Sequence, residues 1–208
     1  MTVIEVFADV WCPFTHVGLR RLVDLRADLG RTDVHLLVRS WPLEVINGEP
    51  MAADFVAEEI EDIQRQVAPD LFLGFDPSAF PTTTLPALSL AAAAYDLDVA
   101  TGERVSLGLR DLLFEQGVDV SDLDVLQRLA ADHGVEFDPT DTRKVLADHA
   151  EGKERGVIGS PHFFTTGDGF FCPALDVSRE DDGHLRITAD PEGFERFATS
   201  CFVGDPTA

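Results

Sequence analysis

Two apolar segments separated by a single helical pattern constrain this chain more than any other feature. Val3 to Ala8 reads as a short strand. From Pro13 to Leu29 the apolar residues Val17, Leu19, Leu22, Val23, Leu25 and Leu29 recur at helical spacing, and Gly30 is a natural stop. Val34 to Trp41 is a second strand, nearly all apolar, so burial on both faces is expected. Pro42 ends it. A strand, one crossing helix and another strand make a βαβ unit, whose second strand lies parallel to the first.

Cys12 falls at the junction of the first strand and the helix. The first turn of a helix leaves unpaired N–H groups, and Pro13 suits its first position because a proline lacks the N–H that would go unused. The partial positive charge there favours thiolate over thiol, which predicts a Cys12 pKa lowered to roughly 3.5–7.5. The other cysteines, Cys172 and Cys201, are far away and form no C-x-x-C pair. Three widely spaced cysteines do not describe a disulfide framework or a zinc site. Free thiols are expected, with Cys172 and Cys201 packed as small hydrophobes and no metal bound.

After Pro42 the character changes. Ala52 to Val67 reads as an acidic amphipathic helix, and Asp70 to Pro86 as a loop. Helical patterns follow from Leu85 to Asp96, from Gly102 to Gln116, from Ser121, and from a cap at Thr140 or Asp141 to about Gly152. About a hundred residues without a convincing strand are too many for a loop, so they form a helical insertion. Strands return after Gly156. His162 to Thr166 and Phe170 to Cys172 flank the turn Gly167-Asp168-Gly169, and Ala174 to Arg179 and Leu185 to Thr188 flank Asp181-Asp182-Gly183. Pro191 opens a closing helix to about Cys201.

Charge removes some functions. With 38 acidic residues against 16 basic ones, the net charge of −22 argues against a nucleic-acid or anionic-membrane partner. A salty cytoplasm and a GC-rich genome would each favour such a composition, and neither names a function. No apolar run approaches the roughly 18–20 residues of a membrane span. The chain enters its first strand soon after Met1 without a basic region and apolar stretch, so a cytoplasmic protein is expected.

Three segments resemble the DsbA family of thioredoxin-fold proteins, in the branch of FrnE-type oxidoreductases and 2-hydroxychromene-2-carboxylate isomerases. They are Ala8-Asp9-Val10-Trp11-Cys12-Pro13-Phe14-Thr15 with Gly18 and Leu22; Phe114 to Asp122 with Leu126, Leu129 and Gly134; and Gly156-Val157-Ile158-Gly159-Ser160-Pro161-His162-Phe163-Phe164. The resemblance implies an α/β fold: a thioredoxin-like domain from residues 1–45 and 153–208, with an all-helical insertion over 46–152. It also implies a cis-proline at Pro161 that turns Ser160 towards Cys12. FrnE-like proteins carry a second cysteine three residues after the first, and here that residue is Thr15.

The expected catalytic residues are therefore Cys12, Thr15 and Pro161. Trp11, Pro13, Phe14, His16, Ser160 and His162 are expected around the substrate. Thr15 is either a donor to the thiolate or an ordinary first-turn residue. His16, four residues after Cys12, is a positive neighbour of the thiolate or a surface histidine, and His162 is placed to reach the site through the fold. Trp11 and Phe14 are rim or core. The acidic helix around Glu58, Glu59, Glu61 and Asp62 is expected to be a solvated face. The implied activity is thiol–disulfide exchange by one cysteine on a disulfide-containing protein or small thiol substrate. Glutathione or another external thiol would complete the cycle, with no tightly bound cofactor. The alternatives are a glutathione-dependent isomerase or transferase, and a binding or redox-sensing protein without turnover.

Overall fold

Strand β1 (Thr2–Ala8), helix α1 (Pro13–Asp28) and strand β2 (Val34–Ser40) form the opening unit of the computed structural model, which describes residues 2–165, 169–179 and 184–202. The two strands are parallel, from Thr2 opposite Val34 to Ala8 opposite Ser40. Burial alternates along β2: Val34, Leu36, Val38 and Ser40 are buried, whereas His35, Leu37 and Arg39 are half-buried. The expectation of a strand buried on both faces is corrected here. Its second face carries an ion-pair cluster in which Arg39 binds Glu5, Asp148 and Glu151.

The insertion contains a short helix α2 (Leu43–Asn47), which sequence periodicity did not indicate, then α3 (Ala53–Gln66), α4 (Leu85–Leu97), α5 (Val99–Gln116), α6 (Leu123–His133) and α7 (Arg143–Glu154). Asp98 caps α5 by accepting from the Thr101 N–H at 2.8 Å. Asp122, not Ser121, caps α6 in the same way. The chain returns through β3 (His162–Phe164) and β4 (Gly169–Phe171), both antiparallel to their neighbours, which completes a sheet in the order β2-β1-β3-β4. β5 (Leu175–Arg179) and β6 (Leu185–Ala189) pair as a separate antiparallel hairpin, and α8 (Pro191–Phe202) closes the described chain. Residues 166–168 and 181–183 of the two expected turns lie outside the described residues.

The helices are built into the sheet. β2 is an edge strand, and unpaired strand edges must be covered or blunted. Side chains of the insertion do this. The Leu36 N–H donates to Glu103, the Tyr95 hydroxyl accepts from the Val38 N–H and donates to the Leu36 carbonyl, and the Ser40 N–H donates to Asp148, at 2.9–3.0 Å. Gly102 makes room for this: a Cβ there would lie 2.1 Å from the Tyr95 ring. The larger apolar core mixes both parts, joining Val10, Trp11 and Val17 to Leu90, Val105 and Leu109 of the helices and to Leu175, Leu185 and Ile187 of the hairpin. The other face of the sheet packs Ile4, Val6, Leu36 and Phe163 against Leu19, Leu22 and Phe197 of α1 and α8.

Removing the Tyr95 hydroxyl strands one donor and one acceptor of β2 in a buried setting. Tyr95→Phe should lower unfolding free energy by about 2 kcal/mol in a denaturant titration, the cost of leaving such groups unpaired. A loss under about 0.5 kcal/mol would mean that the β2 edge does not depend on this hydroxyl.

Candidate active site

The four residues Asp9–Cys12 carry the chain from β1 to α1, and buried polar contacts fix their path. Asp9 is fully buried, and its carboxylate accepts from the N–H groups of Val10 and Leu43, each at 2.6 Å. From α5, the buried guanidinium of Arg110 donates to the Asp9 carbonyl at 3.0 Å and to Ser106. Burial pushes the Asp9 carboxyl up to about 6, against the opposing pull of its donors and of Arg110.

Cys12 is the N-cap of α1, in extended conformation, and makes no side-chain capping bond. The Ser160–Pro161 peptide bond is cis. The Cys12 thiol donates to the Ser160 carbonyl at 3.1 Å. The Ser160 hydroxyl accepts from the Asp9 N–H at 3.0 Å and lies 2.9 Å from the Thr15 hydroxyl. One residue thus joins the thiol, the end of β1 and the first turn of α1. Cys12, Thr15, Ser160 and Pro161 come together, with Pro161 also facing Gly18 of α1.

The protonation of Cys12 differs from the sequence expectation. The thiol is only 4% exposed, and burial raises its pKa above the ordinary value. Hydrogen bonds from Thr15 and Ser160 offset part of the rise, while the Glu59 carboxylate adds to it. The helix terminus argues for a thiolate, whereas burial, the largest influence at this sulfur, favours the thiol.

Other expected residues have different duties. His16 is buried in the insertion: its ring lies 5.0 Å from Phe114 and 5.1 Å from Phe72, and Nε2 meets Glu115 at 2.7 Å. Burial lowers its pKa, so it is neutral and not the positive neighbour of a thiolate. Trp11 is core, stacked on Phe80 at 5.7 Å, and Pro13 is buried. His162 accepts from the Ile158 N–H, stacks on Phe164 at 4.8 Å and has a pKa lowered by burial; none of these contacts is with Cys12. Among the described residues, no three His, Cys, Asp or Glu side chains are grouped to hold a metal ion.

Phe14 is the half-exposed member of the Trp11–Thr15 stretch. With Ser160, Phe171, Cys172, Leu175, Asp176 and Val177 it lines a cleft of about 420 Å³. Cys172 therefore belongs to the site's surroundings, although nothing in its spacing announced it. Its N–H donates to the Pro161 carbonyl at 3.1 Å, its φ is +44°, and burial pushes its thiol up to about 12. Glu59 was also missed. Glu58 and Glu61 are exposed as expected, whereas Glu59 and Asp62 turn inward to the β5–β6 hairpin and are 8% and 2% exposed. Asp62 accepts from the Leu185 N–H at 2.7 Å, and Glu59 lies 3.7 Å from Arg179. Burial pushes Glu59 up to about 7.

These environments set two pH dependences. The rate of Cys12 alkylation should keep rising above pH 9, with no plateau in the neutral range. Glu59→Gln removes a negative charge and should shift the profile to lower pH; Thr15→Val removes a donor and should shift it to higher pH. A plateau near pH 7 would show that the helix terminus outweighs burial. For stability, Glu59 holds its proton up to about 7 when folded and to 4.5 when unfolded. The native state then binds more protons across that window, so this group's contribution falls as pH rises through it. Glu59→Gln should flatten that part of the melting-temperature profile and raise stability at pH 8 by roughly 3 kcal/mol. An unchanged slope between pH 4.5 and 7 would mean that Glu59 titrates normally.

No curated protein matches the sequence. Solved structures match the fold. A probable DsbA oxidoreductase from Streptomyces coelicolor is 19% identical over 100% of this chain and 93% of its own, with a TM-score of 0.66. The cytosolic disulfide reductase DsbM from Pseudomonas aeruginosa is 14% identical over 94% and 96%, with a TM-score of 0.55. A 2-hydroxychromene-2-carboxylate isomerase is 16% identical over 81% and 88%, with a TM-score of 0.54. The model of the DSBA-like thioredoxin domain matches residues 3–180, from β1 through the insertion and the cis-proline loop into the hairpin. The chain belongs to the family of DSBA-like thioredoxin domains.

Proposed function

We propose that this protein reduces disulfides through Cys12 alone and relies on an external thiol to complete each cycle. The observation that carries this reading is the position of the Cys12 thiol, 3.1 Å from the Ser160 carbonyl, with the Thr15 hydroxyl on the same Ser160 side chain. Cys12 loses its proton and attacks one sulfur of the substrate disulfide. A Cys12–substrate disulfide forms, and the other substrate sulfur leaves as a thiolate that takes a proton from solvent. In a dithiol enzyme a second cysteine would then attack Cys12. Thr15 cannot, so an external thiol attacks the substrate sulfur, leaves with it as a new disulfide and returns Cys12 as a thiol.

The direction follows from the environment of the sulfur. A strong oxidant in this fold stabilises its reduced thiolate. Burial does the opposite for Cys12, which favours the disulfide-bonded state and hence reduction of the substrate. One observation supports a cytoplasmic setting: all three thiols are free.

Cys12→Ser should lower disulfide reduction by more than about a hundredfold, as loss of a nucleophile does. Thr15→Cys should let the first half-turnover finish without added thiol, leaving a disulfide between positions 12 and 15 detectable by mass. Retained activity in Cys12→Ser, or no reduction of any disulfide by the unmodified protein, would overturn the reading.

A further inference from the structure

The cleft beside Ser160, whose carbonyl accepts from the Cys12 thiol, is mostly apolar and carries no positive charge among the described residues. Phe171 and Val177 on its walls are 49% and 37% exposed, and Ile158, in the loop that leads to Ser160, is 72% exposed. The one charged residue among its lining is Asp176 on β5. The cations nearest to it lie outside its lining. Arg110 lies buried on the Asp9 carbonyl and Ser106. Arg179, farther along β5, faces Glu59 and lies 5.2 Å over the Phe55 ring. Arg196 lines an adjoining hollow that shares Asp176 with the cleft, and is not part of the cleft's own lining. His162 is stacked on Phe164, and burial disfavours its charge. Around all of this the chain carries a net charge of −22.

A disulfide that arrives with carboxylates meets a negative field and finds no guanidinium or ammonium among the described residues of the cleft wall. A neutral one loses nothing, and a cationic one is drawn in, because a cleft lined by one sign of charge concentrates ligands of the other. We propose that the cleft admits uncharged or cationic disulfides with apolar groups beside the sulfur, and disfavours anionic ones such as glutathione disulfide. This rests on Cys12 being the reactive thiol, and it narrows the sequence-based expectation of glutathione as the external thiol. Each encounter is the exchange described above: a Cys12–substrate disulfide forms, the substrate disulfide breaks, and the leaving thiolate takes a proton from solvent.

The test compares cystamine, bis(2-hydroxyethyl) disulfide and glutathione disulfide as oxidants of the reduced full-length protein. Mixed-disulfide formation at Cys12 is followed by peptide mass, and each rate is divided by that of the same disulfide with free 2-mercaptoethanol. At about 20 mM salt the cationic reagent should be favoured over the anionic one by at least roughly tenfold, since such steering changes on-rates by about 10–1,000-fold. The ratio should approach one near 1 M salt, where the screening length falls to about 3 Å. Asp176→Lys, on an exposed strand position, should reduce the low-salt ratio several-fold, with Asp176→Asn in between. Equal normalised rates, a faster glutathione disulfide, or a ratio indifferent to both salt and Asp176 would overturn the selectivity and leave the thiol reading standing. No reaction at Cys12 with any of the three would overturn both.

Discussion

The outer edge of β2 is closed by side chains, and the rest of the structure depends on that closure. A four-stranded sheet with β2 at its margin exposes backbone groups at residues 36, 38 and 40, which need partners once helices cover them. Glu103, Tyr95 and Asp148 meet that need from three different helices of the insertion. The insertion therefore completes the sheet as well as extending it. Its helices share a core with Val10 and Trp11, immediately before Cys12, so the position of the thiol is tied to the packing of segments as far along the chain as Val145.

Ser160 does for the site what Tyr95 does for the sheet. Its carbonyl receives the thiol, and its hydroxyl bridges the Asp9 N–H and Thr15. Asp9 in turn holds Leu43 of the insertion by its N–H, and Arg110 holds the Asp9 carbonyl from α5. Every link is buried or half-buried, where unpaired polar groups are costly, so the network resists rearrangement. A thiol held this way is positioned by its surroundings and not by its own freedom.

Local information found the elements and missed their partners. The strand–Cys–Pro–helix junction, the parallel β1–β2 pair, the helical run and the two hairpins were legible because periodicity and turn residues are properties of short windows. Partnerships across the fold were not. Helical spacing placed His16 near Cys12 but could not show that Glu115, 99 residues on, would claim its ring nitrogen. The Glu58–Asp62 stretch was legible as acidic, yet which carboxylates face inward depends on a hairpin about 120 residues later. The upward push on the Cys12 pKa has the same origin. A helix terminus is visible in sequence, while the desolvation that outweighs it comes from residues brought in by the fold.

That push bears on what kind of thiol this is. A helix N-terminus contributes roughly 0.3–1 kcal/mol to a charge at its end, and up to about 2 in partly buried geometries. Burial of an unpaired charge costs several times more unless hydrogen bonds replace the lost water. Thr15 and Ser160 supply some of those bonds and the buried Arg110 guanidinium is coupled to the sulfur, but the Glu59 carboxylate works against them. The thiolate is therefore rare at neutral pH, though more nucleophilic per encounter than a low-pKa one, because nucleophilicity rises with basicity. Such a sulfur trades speed for a preference for the disulfide-bonded state. In the cycle proposed above, with Thr15 in place of a resolving thiol, that preference would make the second step, attack by an outside thiol, the one on which turnover depends.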